Sequence, residues 1–143
     1  MLICDTSTLA KYYVQERESD AVRARLDDEE QVFLSELARA ELVAVFHRRF
    51  REQQWSRDEF STVLRQFTTD DVAGYWTWAP VDSGILDQVI RTYTMLPGDV
   101  FLRTADCIHL VTALAHGFTE IHTHDAHQRD GAGALGLTAI GIE

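Results

Sequence analysis

Four acidic residues of this sequence lie at positions where a carboxylate needs a partner or a bound cation. Asp5 follows the apolar run 1–4, which has the length of a strand buried on both faces of a parallel sheet. Glu41 lies on the apolar face of a predicted helix, where a carboxylate must be paired, hydrogen-bonded, neutral or bound to metal. Asp106 is near the start of the most apolar helical segment, and Asp125 directly follows a predicted strand. Oxygen ligands of this kind are those that Mg²⁺ and Mn²⁺ prefer.

Each acid also has an ordinary structural explanation when it is taken alone. Asp5 could be a turn residue at the end of a strand, and Asp125 could be the N-cap of the next helix. Glu41 could pair with an arginine, and Asp106 could interact favourably with the helix macrodipole. The metal hypothesis therefore depends on the four residues together.

The argument for a metal ion is electrostatic. Ligand sites of parallel α/β sheets lie beyond the carboxyl ends of the strands, where we expect these acids to meet. Four carboxylates about 5 Å apart repel by about 3 kcal/mol per pair at an effective dielectric constant near 20. Six such pairs would cost on the order of 20 kcal/mol, more than the stability of a typical domain. Protonation, separation or screening could relieve part of this cost. One or two divalent cations are the economical solution, and such ions polarise a phosphodiester and generate hydroxide from bound water.

Alternating strands and helices supply the framework for the acids. Strands are predicted at residues 1–4, 32–34, 75–80, 120–124 and 137–142. Helices are predicted at about 6–14, 19–26, 37–50, 56–72, 82–95, 103–116 and 125–135. We expect Thr6 or Ser7 to cap the first helix and Ser35 the third, and Pro80 indicates that the third strand is at an edge. The alternation predicts a parallel sheet with right-handed crossovers.

Composition and charge narrow the class of protein. A chain of 143 residues is long enough for one domain with a core and too short for two ordinary ones, so we expect a single domain over residues 1–143. No signal peptide or membrane span is predicted, and Cys4 and Cys107 lack metal-type spacing, which favours a reducing cytoplasm. The formal net charge of −10 disfavours a nonspecific nucleic-acid binder, so any nucleic-acid function needs metal ions or a local basic patch.

Five segments match, in order and spacing, the motifs of one protein family. They are Asp5-Thr6-Ser7, Ser35-Glu36-Leu37 leading to Glu41-Leu42, Leu102–His109, Thr123-His124-Asp125 and the ending Ala134-Leu135-Gly136-Leu137. Each motif is weak alone, but the set is fairly specific and covers essentially the full chain. The sequence resembles PIN-domain ribonucleases of the VapC toxin type, from bacterial or archaeal toxin–antitoxin pairs.

The resemblance implies a three-layer α/β/α domain with a central parallel sheet in the order 3-2-1-4-5. It also implies Mg²⁺- or Mn²⁺-dependent cleavage of RNA, leaving 3′-hydroxyl and 5′-phosphate ends. The acids that match the family's catalytic and metal-binding quartet are Asp5, Glu41, Asp106 and Asp125. The hydroxyl groups that match those orienting the ligands and water belong to Thr6, Ser7 and Thr123.

The resemblance also implies protein partners. We expect a cognate antitoxin that inhibits through a basic segment, and a homodimer. Candidates for the dimer surface are Tyr75, Trp76 and Trp78, with packing in the core as the alternative. The densest basic stretch is expected either to hold RNA phosphates or to be ordinary solvated surface, and its arginines include Arg48, Arg49 and Arg51.

Other functions stay open as alternatives. A non-toxin PIN-domain nuclease and an inactive PIN-like protein-interaction module would share the same fold. A phosphatase that forms an aspartyl-phosphate intermediate at Asp5 is disfavoured, because such enzymes usually carry a second Asp two residues later and this sequence has Ser7 there. A zinc site is disfavoured because adjacent residues of a strand point to opposite faces; its ligands would be His122, His124, His127 and Asp125.

Overall fold

The computed structural model describes residues 1–143 and contains five strands and seven helices. The strands are β1 (Leu2–Ile3), β2 (Val32–Ser35), β3 (Trp76–Ala79), β4 (Glu120–His122) and β5 (Thr138–Ile140). The helices are α1 (Thr6–Tyr13), α2 (Ser19–Asp27), α3 (Leu37–Arg51), α4 (Arg57–Val72), α5 (Ser83–Met95), α6 (Thr104–Ala115) and α7 (Ala126–Ala134). No helix combines the length and the apolar composition that crossing a membrane requires.

The strands are parallel and form two hydrogen-bonded groups. One sheet has the order β1-β2-β3, and β4 pairs with β5 in a second. A single bridge between Cys4 and His122 joins the two groups, so the order across both is 3-2-1-4-5. The central junction is short because β1 has only two residues and the chain enters α1 immediately afterwards. The predicted α/β architecture is confirmed, with two short sheets joined by a bridge in place of one continuous sheet.

Helices cover both faces of the strands and give the three predicted layers. One apolar core contains Leu2 and Cys4 and is closed by α1 to α4. A second core contains Ile3, from the opposite face of β1, and is closed by α5 to α7. The carboxyl ends of β1 and β4 therefore lie between the two helical layers. The residues that follow these strands can contact helices of either layer.

Local capping differs from expectation at α1 and agrees with it at α3. Asp5, and not Thr6 or Ser7, caps α1, because its carboxylate accepts a hydrogen bond from the Thr8 amide at 3.2 Å. Ser35 is the last residue of β2, and its hydroxyl accepts a hydrogen bond from the Leu37 amide at 3.3 Å, so it caps the start of α3 as predicted. The cap of α1 thus ties the position of Asp5 to a helix start.

The aromatic residues of β3 pack largely inside the protein. β3 is an edge strand, as Pro80 predicted, and pairs only with β2. Trp76 is buried against the rings of Tyr12 and Tyr13, and the half-buried Trp78 donates its indole N–H to Asp71 at 2.6 Å. The assignment to a dimer surface is therefore wrong for Trp76, whose ring lies in the core, whereas Trp78 packs partly against the same core. Tyr75 alone of the three candidates is largely exposed.

Candidate active site

The four acids singled out by the sequence all line one cleft of about 520 Å³. Asp5 follows β1, and Asp125 is the N-cap of α7 just beyond β4. Glu41 comes from α3, and Asp106 lies in the first turn of α6. The cleft is therefore built from four separate parts of the chain that meet at the carboxyl ends of the two central strands.

Asp5 is buried at the centre of this arrangement. Its carboxylate accepts hydrogen bonds from the hydroxyls of Ser7 and Thr123, each at 2.6 Å, in addition to the Thr8 amide. Burial raises the pKa of Asp5 above its ordinary value, although the electrostatic interaction with His109 and these hydrogen bonds oppose the shift. Exclusion of water thus destabilises the ionised form of Asp5, and the oriented hydrogen-bond donors partly offset that destabilisation.

Glu41 forms the second group of the site, with donors from two other helices. Its Oε1 accepts a hydrogen bond from Thr6 Oγ1 at 2.7 Å and lies 2.6 Å from His109 Nε2. Burial alone would raise the pKa of Glu41, but the hydrogen bond and electrostatic interaction with His109, together with Thr6 and Arg103, lower it below the ordinary value. The partner of Glu41 is thus a histidine, and not the arginine considered from the sequence.

Asp106 and Asp125 form the third group and share one arginine. Arg103 Nε donates to Asp106 Oδ2 at 2.6 Å, and its Nη2 contacts Asp106 Oδ1 at 3.3 Å and Asp125 Oδ2 at 2.9 Å. Burial acts to raise the pKa of Asp125, but the Gln128 amide, Arg103 and the His127 amide lower it. The carboxylates in turn raise the pKa of Arg103. This guanidinium holds the start of α6 against the start of α7.

Two residues with clear contacts in the cleft, His109 and Arg103, received no functional role from the sequence. Both lie within three residues of Asp106 on the same helical segment, so i, i+3 spacing was an available signal. Their second contacts, to Glu41 and Asp125, join residues far apart in the chain. Those contacts depend on how the helices pack, which local spacing does not show.

These two side chains change the electrostatic argument made from the sequence. The repulsion estimate treated the four carboxylates as an isolated set, whereas Arg103 and His109 place compensating groups among them. No cluster of three or more His, Cys, Asp or Glu side chains is arranged to hold a metal ion. Arg103 and His109 thus offset only part of the charge of the four carboxylates, which with their hydroxyl neighbours match in kind the all-oxygen donor set of Mg²⁺ or Mn²⁺.

Each predicted hydroxyl contacts one of the acids. Thr6 donates to Glu41, whereas Ser7 and Thr123 donate to Asp5. The Ser7 oxygen also accepts from the His124 amide at 2.8 Å, which links α1 to the segment after β4. These hydroxyls fix the rotamers of two carboxylates that would otherwise be free to turn.

The predicted basic stretch divides into three different environments. Arg48 is exposed, lines the cleft and bonds Glu52 at 3.0 Å. Arg49 is half-buried and bonds Glu16, so it is a structural ion pair between α3 and the segment after α1. Arg51 is exposed at the end of α3. Of these three arginines, only Arg48 borders the acids.

The histidines considered as zinc ligands make separate contacts. The ring of His122 lies 3.4 Å from the Ile3 carbonyl, and that of His124 lies between Thr8 Oγ1 and the Ile142 carbonyl. His127 packs edge-on against Phe101. The three rings are thus engaged with different parts of the protein, which gives the zinc alternative no support.

Comparison with known proteins yields one family and a consistent group of structures. A family model described as PIN domain matches residues 2–134. The sarcin–ricin loop cleaving toxin VapC20 of Mycobacterium tuberculosis has a TM-score of 0.68 and 11% identity, over 88% of this chain and 91% of that one. FitAcB from Neisseria gonorrhoeae has a TM-score of 0.69 and 20% identity, over 98% and 96% of the two chains. VapBC2 from Rickettsia felis, bound to a DNA fragment from its promoter, has a TM-score of 0.69 and 12% identity over 100% of both. No curated protein sequence matches the chain.

Proposed function

Because the chain belongs to the PIN domain family, we propose that it is a Mg²⁺- or Mn²⁺-dependent endoribonuclease and the toxin of a toxin–antitoxin pair. The observation that carries this proposal is the convergence of Asp5, Glu41, Asp106 and Asp125 on one cleft. Structural neighbours support it, since one is a toxin that cleaves the sarcin–ricin loop and another is a VapBC complex. We place the protein in a reducing cytoplasm, since Cys4 and Cys107 are buried free thiols.

The proposed reaction is hydrolysis of an RNA phosphodiester. The four acids would hold the divalent ion, which when bound polarises the phosphodiester and lowers the pKa of a coordinated water. The water oxygen bonds to phosphorus and the 3′ oxygen leaves, giving 3′-hydroxyl and 5′-phosphate ends. Ser7 and Thr123 orient the carboxylate of Asp5, and Thr6 orients that of Glu41. A dedicated protein base is not needed in this scheme.

A cleavage assay tests the proposal directly. Purified protein with a structured RNA and Mg²⁺ or Mn²⁺ should cut the RNA, and EDTA should stop the reaction, because no group of this chain replaces the activated water. Products should accept 3′-end ligation without phosphatase treatment, as expected for 3′-hydroxyl ends. Cleavage that continues unchanged in EDTA would contradict the metal-dependent mechanism.

A non-toxin PIN nuclease and an inactive protein-interaction module are the alternatives. The four acids and their hydroxyl partners in one cleft favour an active enzyme over the inactive module. The toxin assignment requires an antitoxin, and we propose one whose basic segment enters the cleft and competes with metal for the acids. A small adjacent reading frame with a DNA-binding start and a basic end would distinguish the toxin from other nucleases.

We assign RNA phosphate binding chiefly to Arg48, because it is exposed and borders the cleft. Replacing Arg48 by Ala should weaken RNA binding and make its salt dependence shallower by about 0.7 in the slope of log K against log salt, the value for one lost phosphate contact. Filter binding in EDTA, at several salt concentrations, measures this without cleavage.

The matched control is Arg65→Ala, which removes one exposed arginine from α4 that forms no ion pair and does not line the cleft. The control should keep the wild-type affinity and slope. Arg49 is a poor target because its loss would break the Glu16 ion pair. Equal effects of the two substitutions would show that net charge alone sets RNA affinity.

We also propose a homodimer, formed through α5 and not through β3. Leu86, Ile90 and Tyr93 lie four and three residues apart on one face of α5, and Ile90 is 65% exposed. Apolar surfaces of this kind mark interaction sites. Sedimentation equilibrium at micromolar concentrations should report twice the chain mass.

A further inference from the structure

Arg103 occupies the part of the cleft where a metal ion would bind Asp106 and Asp125. We infer that Arg103 is an internal competitor of the divalent ion, so that metal binds the site by displacing this guanidinium. The inference rests on the proposed function, since it concerns the metal that the nuclease would use. In this arrangement Arg103 holds Asp106 and Asp125 together in the metal-free protein, and its displacement lowers the apparent affinity for the metal.

The contacts of Arg103 account for both oxygens of Asp106. Nε and Nη2 of the guanidinium face Oδ2 and Oδ1 of that carboxylate at 2.6 and 3.3 Å, the fork arrangement that arginine forms with a carboxylate. The same Nη2 reaches Asp125 Oδ2 at 2.9 Å. The remaining oxygen of Asp125 accepts from the amides of His127 and Gln128. Every oxygen of the two carboxylates therefore already has a donor.

Charge makes this arrangement incompatible with a metal on the same oxygens. A divalent ion bound to Asp106 and Asp125 would lie within a few ångströms of the guanidinium, and like charges at that distance repel. Arg103 is permanently protonated, and the two carboxylates raise its pKa further, so it cannot relieve the repulsion by losing a proton. The remaining way to accommodate the ion is for the side chain to move away.

The position of Arg103 allows that movement. The residue precedes α6 in an extended conformation, and its side chain is 46% exposed at the rim of the cleft. Rotation about its own side-chain bonds would carry the guanidinium into solvent without changing the helix. Asp5 and Glu41 differ, because their partners are hydroxyls, an amide and a buried histidine that belong to the packed structure.

A purely structural ion pair predicts the opposite outcome. If Arg103 only held the acids in place for the metal, removing it would loosen Asp106 and Asp125 and weaken metal binding. If it competes with the metal, removing it must strengthen binding. The sign of the change in affinity therefore separates the two roles.

The experiment is a calorimetric titration of Mn²⁺ alone, without RNA, into the full-length wild type and its Arg103→Gln variant. If the bridged arrangement occupies about nine-tenths of wild-type molecules, Arg103→Gln should bind Mn²⁺ about tenfold more tightly. Arg103→Lys should give a smaller gain, because an ammonium keeps the charge but lacks the fork. The lysine variant also carries the test if Arg103→Gln fails to fold, which thermal melting in EDTA would report.

The matched control is Arg48→Gln, which removes the same charge from the same cleft but from a residue that bonds Glu52 and none of the four acids. Its Mn²⁺ affinity should stay within about twofold of wild type, since exposed charges are screened. Equal or weaker binding by Arg103→Gln, with wild type binding Mn²⁺, would overturn the inference and leave the proposed nuclease intact. Absence of Mn²⁺ binding in both proteins would overturn the metal site and the inference together.

Discussion

Replacing Asp106 by Asn is expected to reduce metal-dependent RNA cleavage by about a thousandfold or more, the scale on which enzymes lose activity when one member of a concerted site is removed. The carboxylate is buried at the start of α6 and faces the cleft with both oxygens. Asparagine preserves its size but removes the charge and one acceptor oxygen. The substitution should therefore weaken the hold on a divalent ion far more than it changes the shape of the site.

Thermal melting shows whether the loss is chemical or structural. The melting temperature of wild type should rise in Mn²⁺ through binding to the native state, and Asp106→Asn should show a much smaller rise. The variant should remain folded for two reasons. The backbone carbonyl of residue 106 still accepts a hydrogen bond from the side-chain amide of Gln128 at 3.3 Å, and the rest of α6 contributes apolar residues to the core.

The matched control is Asp130→Asn, which removes an exposed acid of α7 that forms no ion pair and does not line the cleft. This variant should keep wild-type cleavage and the full Mn²⁺-induced rise in melting temperature. Undiminished metal-dependent cleavage by Asp106→Asn would remove this residue from the catalytic set. Equal losses in both variants would instead indicate a general effect of charge.

The fold was predictable because its signals are local. Short apolar runs, helical periodicity and the capping box of Ser56 and Glu59 each identify an element within a few residues. The order of elements then restricts the topology to parallel strands with helical crossovers. The packing of the aromatic residues was harder to predict. The sequence around Trp76 and Trp78 is the same whether their rings face a partner or the core.

The site was predictable in its acids and not in its internal charge balance. Asp5, Glu41 and Asp106 border or interrupt apolar patterns, and Asp125 directly follows a predicted strand, so the sequence identifies each acid. His109 also interrupts an apolar run, but the sequence shows the distant partner of neither His109 nor Arg103, because only packing brings those partners near. An estimate built on the acids alone therefore overstated the repulsion that a metal ion must relieve.

Replacing Asp5 by Asn is expected to raise the melting temperature of the metal-free protein at neutral pH while abolishing metal-dependent cleavage. Burial raises the pKa of Asp5 in the folded state, so the folded protein binds the proton of this group more tightly than the unfolded chain does. Stability is consequently lost as pH rises from the ordinary pKa through the raised one, and the ionised carboxylate is a net cost above that range. Asparagine is neutral at every pH and avoids this cost, while its oxygen can still accept from Ser7 and Thr8.

Calorimetric melting in EDTA measures the effect, and its pH dependence identifies the cause. The variant should melt a few degrees above wild type near pH 8, and the difference should shrink as the pH falls through the raised pKa of Asp5 towards the ordinary pKa of an aspartate. Asp5→Ala is the control, because it also removes the charge but leaves the hydroxyls of Ser7 and Thr123 without their acceptor. That variant should melt below Asp5→Asn.

Adding Mn²⁺ should reverse the order of wild type and Asp5→Asn, because only the carboxylate gains a cation. A melting temperature of Asp5→Asn at or below that of wild type in EDTA at neutral pH would show that the hydrogen bonds outweigh burial, and that the ionised acid is not a cost. The expected reversal has a physical basis in the site itself: a carboxylate kept from water at the end of β1 destabilises the metal-free fold, and that same desolvation strengthens its attraction to a bound cation.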